Sequence, residues 1–168
     1  DETVGVRRNV RVASALFSNP AFMRFAAAWF RSLDGLGEAY NGALDRYRRE
    51  QGLRNQAEPS PNLRVEGRWK ETPFWLVRPD APRRSLWVAR PGPEEALLGG
   101  PDGKEEWKAS WQGGVLEVAG DVRVWPKALP QSLFSRLFLG DFFIHGTGGG
   151  RYEQVNDLFF RTVFGTQP

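Results

Sequence analysis

The spacing of the apolar residues changes twice along this chain, and the two changes limit the folds open to it. Over residues 10–56 apolar side chains recur at helical spacing. Over residues 65–126 short apolar runs alternate with turn residues, as they do in sheets. After Pro126 the helical spacing returns. This order predicts an α+β fold rather than a doubly wound sheet, with N-terminal helices, a central, mostly antiparallel, Trp-rich sheet, and C-terminal helices around a glycine-rich loop.

The first zone carries signals for the start and the end of its helices. Asn19 followed by Pro20 predicts an N-cap and a proline in the first helical position. The apolar stripe over 36–51 predicts a further helix, and Gly52 is a suitable C-terminal stop. The proline-bearing segment 57–63 predicts a linker that runs extended over the surface.

The second zone predicts short strands joined by turns. Five apolar runs have strand character: 74–77, 86–89, 107–111, 115–118 and 122–125. The first two runs flank a long turn over 79–84 and predict a hairpin, and the next two flank the turn 112–114. The glycine- and proline-bearing segment 91–104 predicts a loop.

The third zone predicts a helix over 129–139 and a terminal helix over 151–164. We expect a single domain over 1–168 that belongs to a longer protein. Its parts are a helical part over 1–56, a β part over 63–126 and a C-terminal helix-loop-helix part over 127–168.

Composition excludes several kinds of site. The chain has no cysteine, which excludes disulfides, thiolate zinc sites and cysteine nucleophiles and favours a cytoplasmic setting. The single histidine, His145, excludes His-rich metal centres. No run approaches ~18 uncharged apolar residues, so a membrane span is not expected. With 23 basic and 20 acidic residues, the net charge of +3 is too small to favour binding of duplex DNA.

The segment DFFIHGTGGGRYEQVND, residues 141–157, is the strongest candidate for a site. An apolar strand-like run leads into a cluster of glycines, and a helical pattern follows directly. This order can aim backbone N–H groups and a helix N-terminus at one anion. It matches neither a Walker loop, because no Lys-Ser or Lys-Thr follows, nor the dinucleotide fingerprint.

Each polar residue of this segment has a functional and a structural interpretation. The glycines permit positive φ and close backbone approach, Arg151 completes an anion site, and His145 serves as a general acid or base oriented by an aspartate. The predicted ligand-binding residues are Gly146, Gly148, Gly149, Gly150, Arg151 and Tyr152. The predicted catalytic residues are His145, Asp141 and Asp157. The structural alternative is a tight turn with a hydrogen-bonded histidine, a capping Asp141, and an Asp157 paired with Arg161.

Two further features have a functional and a structural interpretation. Arg46, Arg48, Arg49 and Arg54 surround a predicted helix C-terminus, where a solvated basic face complements the helix dipole. An RNA-binding patch is the alternative, but nucleic acid is not expected because exposed aromatic residues do not alternate with these arginines. The tryptophans of the β zone have strand spacing and predict core packing.

Four stretches resemble the C-terminal part of uncharacterised bacterial proteins of the planctomycete type. They are residues 40–52, 71–75 (ETPFW), 83–90 (RRSLWVAR) and 126–164. Those proteins carry a motif like D-x-F-I-H-G-x-G-G-x-x-Y-[DE]-x-V-T-D. The matching residues here are Asp141, Phe143, Ile144, His145, Gly146, Gly148, Gly149, Tyr152, Glu153, Val155 and Asp157. Asn156 stands where the motif has Thr, and Glu153 replaces the commoner Asp.

The N-terminal part of those longer proteins is similar to the cysteine-adding enzyme of bacillithiol synthesis, and its T-G-H-Q-type segment has no counterpart here. The resemblance implies a C-terminal domain or subunit of a ligase- or transferase-like protein. In that case the glycine-rich loop binds a small anionic ligand bearing phosphate or carboxylate. The alternative is a non-catalytic interaction module that packs an aromatic surface on a partner domain or chain, such as a missing N-terminal domain. No cofactor follows from either interpretation.

Overall fold

The computed structural model describes residues 13–140, 144 and 146–165. Its helices are α1 (Ala13–Leu16), α2 (Pro20–Arg31), α3 (Leu33–Gln51), α4 (Ala128–Phe138) and α5 (Thr147–Phe164). Its strands are β1 (Val65–Glu66), β2 (Trp69–Arg78), β3 (Ala81–Ala89), β4 (Glu95–Gly99), β5 (Trp107–Ser110), β6 (Glu117–Val118) and β7 (Arg123–Pro126). Helices therefore precede and follow one antiparallel sheet, which confirms the predicted α+β class.

The ends of α2 and α3 follow from their cap residues. The Asn19 side chain accepts a hydrogen bond of 2.8 Å from the Ala21 N–H, and Pro20 opens the helix, as predicted. Helix α3 ends at Gly52, whose φ of 64° is the left-handed conformation that glycine adopts readily. Both helix boundaries are thus determined by local residues.

The sheet is an antiparallel meander that curls back on itself. The strands pair in the order β1-β2-β3-β4-β5-β6, and β7 pairs with β2. Strand β7 takes the second half of the β2 edge, with Phe74 opposite Pro126 and Val77 opposite Arg123. Strand β1 takes the first half of the same edge. Residues 119–122 therefore lead the chain from the far strand back to β2.

The predicted hairpin turn over 79–84 is wrong in length. Arg78 pairs with Ala81, so the turn consists of Pro79 and Asp80, and β3 begins three residues before the predicted turn ends. The predicted turn was too long because it included Pro82, which lies in β3. Pro82 is tolerated because β4 pairs only with Trp87, Val88 and Ala89, which leaves the first part of β3 as an edge.

Two other sequence predictions in the β zone are corrected. The predicted loop 91–104 contains strand β4, in which Ala96 and Leu98 are buried against the core. The predicted strand 115–118 is shortened to Glu117–Val118. The buried Leu116 instead donates its N–H to the Met23 carbonyl of α2 at 3.3 Å, so this segment serves the helix as well as the sheet.

An aromatic contact joins α2 to the inner face of the sheet. Phe74 of β2 is fully buried and meets Phe22, Trp29 and Phe30 of α2 in edge-to-face geometry, at centroid distances of 6.3, 6.0 and 5.9 Å. Such pairs contribute about 0.5–1.5 kcal/mol each beyond their buried area. Phe134 of α4 packs on Phe22 in the same way at 5.3 Å. Helix α2 therefore lies between the sheet and α4.

Arg48 departs from the predicted exposed basic face. Its side chain is only 3% exposed, because the guanidinium donates to the backbone carbonyls of Gln56, Glu58 and Ser60 at 2.5–2.8 Å. Asp45 and Asn62 accept the remaining bonds. The predicted extended linker consequently folds into turns around this side chain.

We expect Arg48→Met to destabilise the protein by about 3 kcal/mol, because the backbone carbonyls of Gln56, Glu58 and Ser60 would lose charge-assisted hydrogen bonds from a buried guanidinium. Arg46→Met is the matched control on the same helix. Arg46 is exposed, and Glu50 is its one ion-pair partner among the described residues, so its replacement should change the free energy of unfolding by about 0.5 kcal/mol or less. Urea unfolding measures the free energy of unfolding of both variants. A small change in Arg48→Met, equal to that in Arg46→Met, would contradict the structural role of Arg48.

Candidate functional site

The predicted glycine-rich loop is the beginning of a helix. Helix α5 starts at Thr147, four residues before the predicted start, so Gly148, Gly149 and Gly150 form its first turn. Gly146 is the N-cap, and its backbone is extended, with φ −71° and ψ 169°. None of these glycines has positive φ, so the chain does not use the left-handed conformation that glycine permits. The packing of the residues that follow in α5 overrides the low helix propensity of glycine.

Among the described residues, packing does not require glycine at Gly146, Gly148 or Gly150. A Cβ atom built at any of the three would meet no described side chain or neighbouring backbone atom within 4 Å. Glycine in a helix is less stable than alanine by about 1 kcal/mol per residue. Contacts with the described residues therefore do not explain why glycine stands at these three positions.

The other predicted site residues are not all described. Asp141 and His145 lie outside the described residues, as does the side chain of Tyr152. Arg151 follows the first-turn glycines and is exposed. The structure therefore places Gly146, Gly148, Gly149, Gly150 and Arg151 together at one end of α5, and Asp157 further along it.

Asp157 of α5 forms an ion pair with Arg136 of α4. Its carboxylate accepts a hydrogen bond of 2.9 Å from the Arg136 guanidinium, and Glu153 accepts another of 2.5 Å from the same nitrogen. The alternative pairing of Asp157 with Arg161 is not found among the described ion pairs. Burial disfavours the charge of Arg136, but its bonds to Asp157 and Glu153 outweigh that effect and keep its pKa above the ordinary value.

Asn156 completes the junction between the two helices. It is buried, and its side-chain N–H groups donate to the Leu129 carbonyl at 3.1 Å and to the Ser132 hydroxyl at 2.9 Å. Glu153 and Asp157 match the motif of the resemblance, and Asn156 stands at its Thr position. Their contacts give this half of the motif a structural role.

An apolar groove of about 380 Å³ lies beside this junction. Helices α2, α4 and α5 form its walls, with Leu36 of α3 at one end. Apart from Arg24, every lining residue is apolar: Ala21, Phe25, Ala28, Trp29, Leu36, Leu133, Leu137, Phe138, Phe159 and Phe164. Phe138 and Phe164 remain 59% and 60% exposed at the groove. Leu139 and Ile144, near the ends of α4 and α5, are also exposed.

A second polar cluster lies on the sheet. Glu71 of β2 has a side chain only 7% exposed and binds both Arg64, at 3.0 Å, and Lys127, at 3.3 Å. Lys127 also donates to the Ser85 hydroxyl at 3.0 Å and lies 4.9 Å from the centroid of the Trp75 ring. Lys127 thus lies over the half-buried Trp75 ring, which adds a stabilising cation–π contact.

The charges of this cluster are mutually dependent. Burial opposes the charge of Glu71, but the hydrogen bond from Arg64 and the charge of Lys127 outweigh it, so the pKa of Glu71 falls below its ordinary value. Burial also lowers the pKa of Lys127, and the Glu71 carboxylate limits that effect. The cluster joins β2, β3 and the start of α4, and we assign it a structural role.

Neither a metal site nor a membrane span is found in the described part of the chain. No group of three or more His, Cys, Asp or Glu side chains there could hold a metal ion. None of the described helices has the length and apolar character needed to cross a membrane.

The sequence interpretation missed the groove, although a signal for it was present. Leu137, Phe138 and Leu139 are consecutive apolar residues, so α4 cannot bury all of them on one face. Arg136 and Ser132 were missed because their partners lie on another helix.

Comparisons with protein-family models, curated proteins and solved structures found no match to this chain.

We expect the free energy of unfolding to fall as the pH is lowered from 6 to 3, in part through Glu71. Because the pKa of Glu71 is lower in the folded chain, the unfolded chain takes up this proton first, and the stabilisation is lost as the pH falls through the folded pKa. Glu71→Gln should reduce this loss and should destabilise the protein by about 2 kcal/mol at pH 7.

Glu66→Gln is the control. Glu66 is exposed, and its ion pair with Arg64 is long, at 3.9 Å. Its pH dependence should equal that of the unsubstituted protein in urea titrations. Identical pH dependence in Glu71→Gln would contradict the role given to this carboxylate.

Proposed function

We propose that this chain is an interaction module that binds an apolar segment of a partner domain or chain in the groove between α2, α4 and α5. The observation that carries the proposal is the exposure of Phe138 and Phe164 beside a groove whose lining is apolar except for Arg24. Contiguous exposed apolar surface of this kind marks interaction sites in soluble proteins.

The groove is built on helices that are fixed in place. Arg136 binds both Glu153 and Asp157, and Asn156 binds α4, so α4 and α5 are joined by hydrogen bonds as well as by apolar packing. Trp29 of α2 stacks on Phe159 of α5 at 5.2 Å. A preformed groove loses little conformational entropy on binding, which favours affinity. In the ligase- or transferase-like protein implied by the resemblance, the partner would be its N-terminal part.

A footprinting experiment tests this function. A neutral, 18-residue amphipathic helical peptide should shift the NMR signals of Ala21, Ala28 and the end of α4 in the folded chain. Phe138→Ser should weaken peptide binding about tenfold or more. The Phe138 ring would be buried in the complex, and loss of such an aromatic anchor costs at least about 1.4 kcal/mol of binding free energy.

Val65→Ser is the matched control, because Val65 is exposed to a similar extent, 67%, but lies on β1 and does not line the groove. It should leave peptide affinity unchanged. A footprint on the sheet, or no footprint at all, would overturn the proposal.

A second candidate is the binding of a small anion at the start of α5. Gly148 and Gly150 favour it, because both are exposed and a Cβ atom at either position would meet no described side chain within 4 Å. Backbone N–H groups in the first turn of a helix have no intrahelical acceptor and attract anions.

We expect phosphate or sulfate to raise the melting temperature of the chain if this second site exists, because a ligand that binds only the folded state stabilises it. Arg151→Ala should remove most of that shift. Arg161→Ala is the control, since Arg161 is exposed near the other end of the same helix. A thermal-shift titration with equal shifts in all three proteins would eliminate the site.

A further inference from the structure

We propose that the partner segment is an acidic amphipathic helix supplied by a different chain or domain, an inference that rests on the proposed function of the groove. Three features of the groove select this occupant: its shape, its charge, and the charge of its surroundings. Together they disfavour a second copy of this chain.

The walls of the groove fit a helix. Ala21, Arg24 and Ala28 lie on one face of α2 and span eight residues, or about 10 Å of helix axis. The two alanines are exposed, and their small side chains allow close approach of another helix. A helix bound in a groove places apolar side chains three and four residues apart on its buried face. Phe138 and Phe164 would contact such side chains.

The charge of the groove is positive. Arg24 is its sole charged lining residue and has no ion-pair partner among the described residues. Helices α2 and α4 contain no acidic residue. The two acidic residues of α5, Glu153 and Asp157, are both bound to Arg136. A carboxylate on the partner would therefore meet an Arg24 that no described acidic residue already pairs.

A second copy of this chain does not meet that requirement. In a twofold-symmetric dimer the same groove would face itself, which would bring two copies of Arg24 into one interface without a carboxylate from either groove lining. Juxtaposed like charges oppose association. The structure thus favours a heterologous partner whose helix carries apolar residues on one face and acidic residues beside them.

The test uses three labelled peptides of 18 residues with the same apolar stripe. Four polar positions beside the stripe carry Gln in the neutral peptide, Glu in the acidic peptide and Lys in the basic peptide. Fluorescence anisotropy at low salt should give the acidic peptide about 3–5-fold higher affinity than the neutral one and about tenfold higher affinity than the basic one. Arg24→Gln should bring the acidic and neutral peptides within about twofold of each other, with little change for the neutral peptide. Arg161→Gln, outside the groove lining, should retain the acidic preference.

The possible results separate this inference from the proposed function. Equal binding of the three peptides to the unsubstituted chain would overturn the acidic partner and leave the proposed function standing. Failure of all three to bind the folded chain would overturn both. Sedimentation that shows a dimer dissociated by Phe138→Ser would overturn the heterologous partner in favour of a second copy. An acidic preference that persists in Arg24→Gln would overturn the role of Arg24.

Discussion

The contact of α2 with Phe74 determines how the rest of the chain is arranged. Phe22, Trp29 and Phe30 on one helix enclose a single ring of β2, and Phe134 extends the same packing to α4. Because α2 lies between the sheet and the C-terminal helices, one side of it is fully buried. Its other side, with Ala21, Arg24 and Ala28, is left at the surface. The groove is a direct consequence of this placement.

Hydrogen bonds and ion pairs join the elements elsewhere in the molecule, whereas the groove remains open to solvent. Arg48 holds the turns that follow α3, the Arg136 cluster joins α4 to α5, and Lys127 with Glu71 joins the sheet to α4. On the sheet, arginine and lysine side chains cover the tryptophans. In the described part of the chain no cation lies over the Phe138 or Phe164 ring, and both rings remain exposed. This contrast is the physical basis for treating the groove as a binding surface.

Local signals predicted much of the fold and little of the candidate site. The cap at Asn19, the stop at Gly52 and the order of helices and strands could be inferred, because each depends on neighbouring residues. The short turn at Pro79 and Asp80 and the burial of Arg48 could not, because they depend on pairing and on carbonyls distant in sequence. The glycines near Thr147 resemble a loop in sequence but are helical, since packing of α5 decides their conformation. The roles predicted for His145 and Asp141 stay predictions, as both lie outside the described residues.

The central claim is that the groove is open in the free chain and becomes covered by a partner helix. Fluorine NMR of 4-fluorophenylalanine at position 138 tests it most directly, with position 134 as a buried reference at 2% exposure. In the free chain the signal from position 138 should shift between H₂O and D₂O while that from position 134 does not. Addition of the acidic helical peptide should abolish the shift at 138. A ring at 138 that is as shielded as the one at 134 before any peptide is added would contradict the claim.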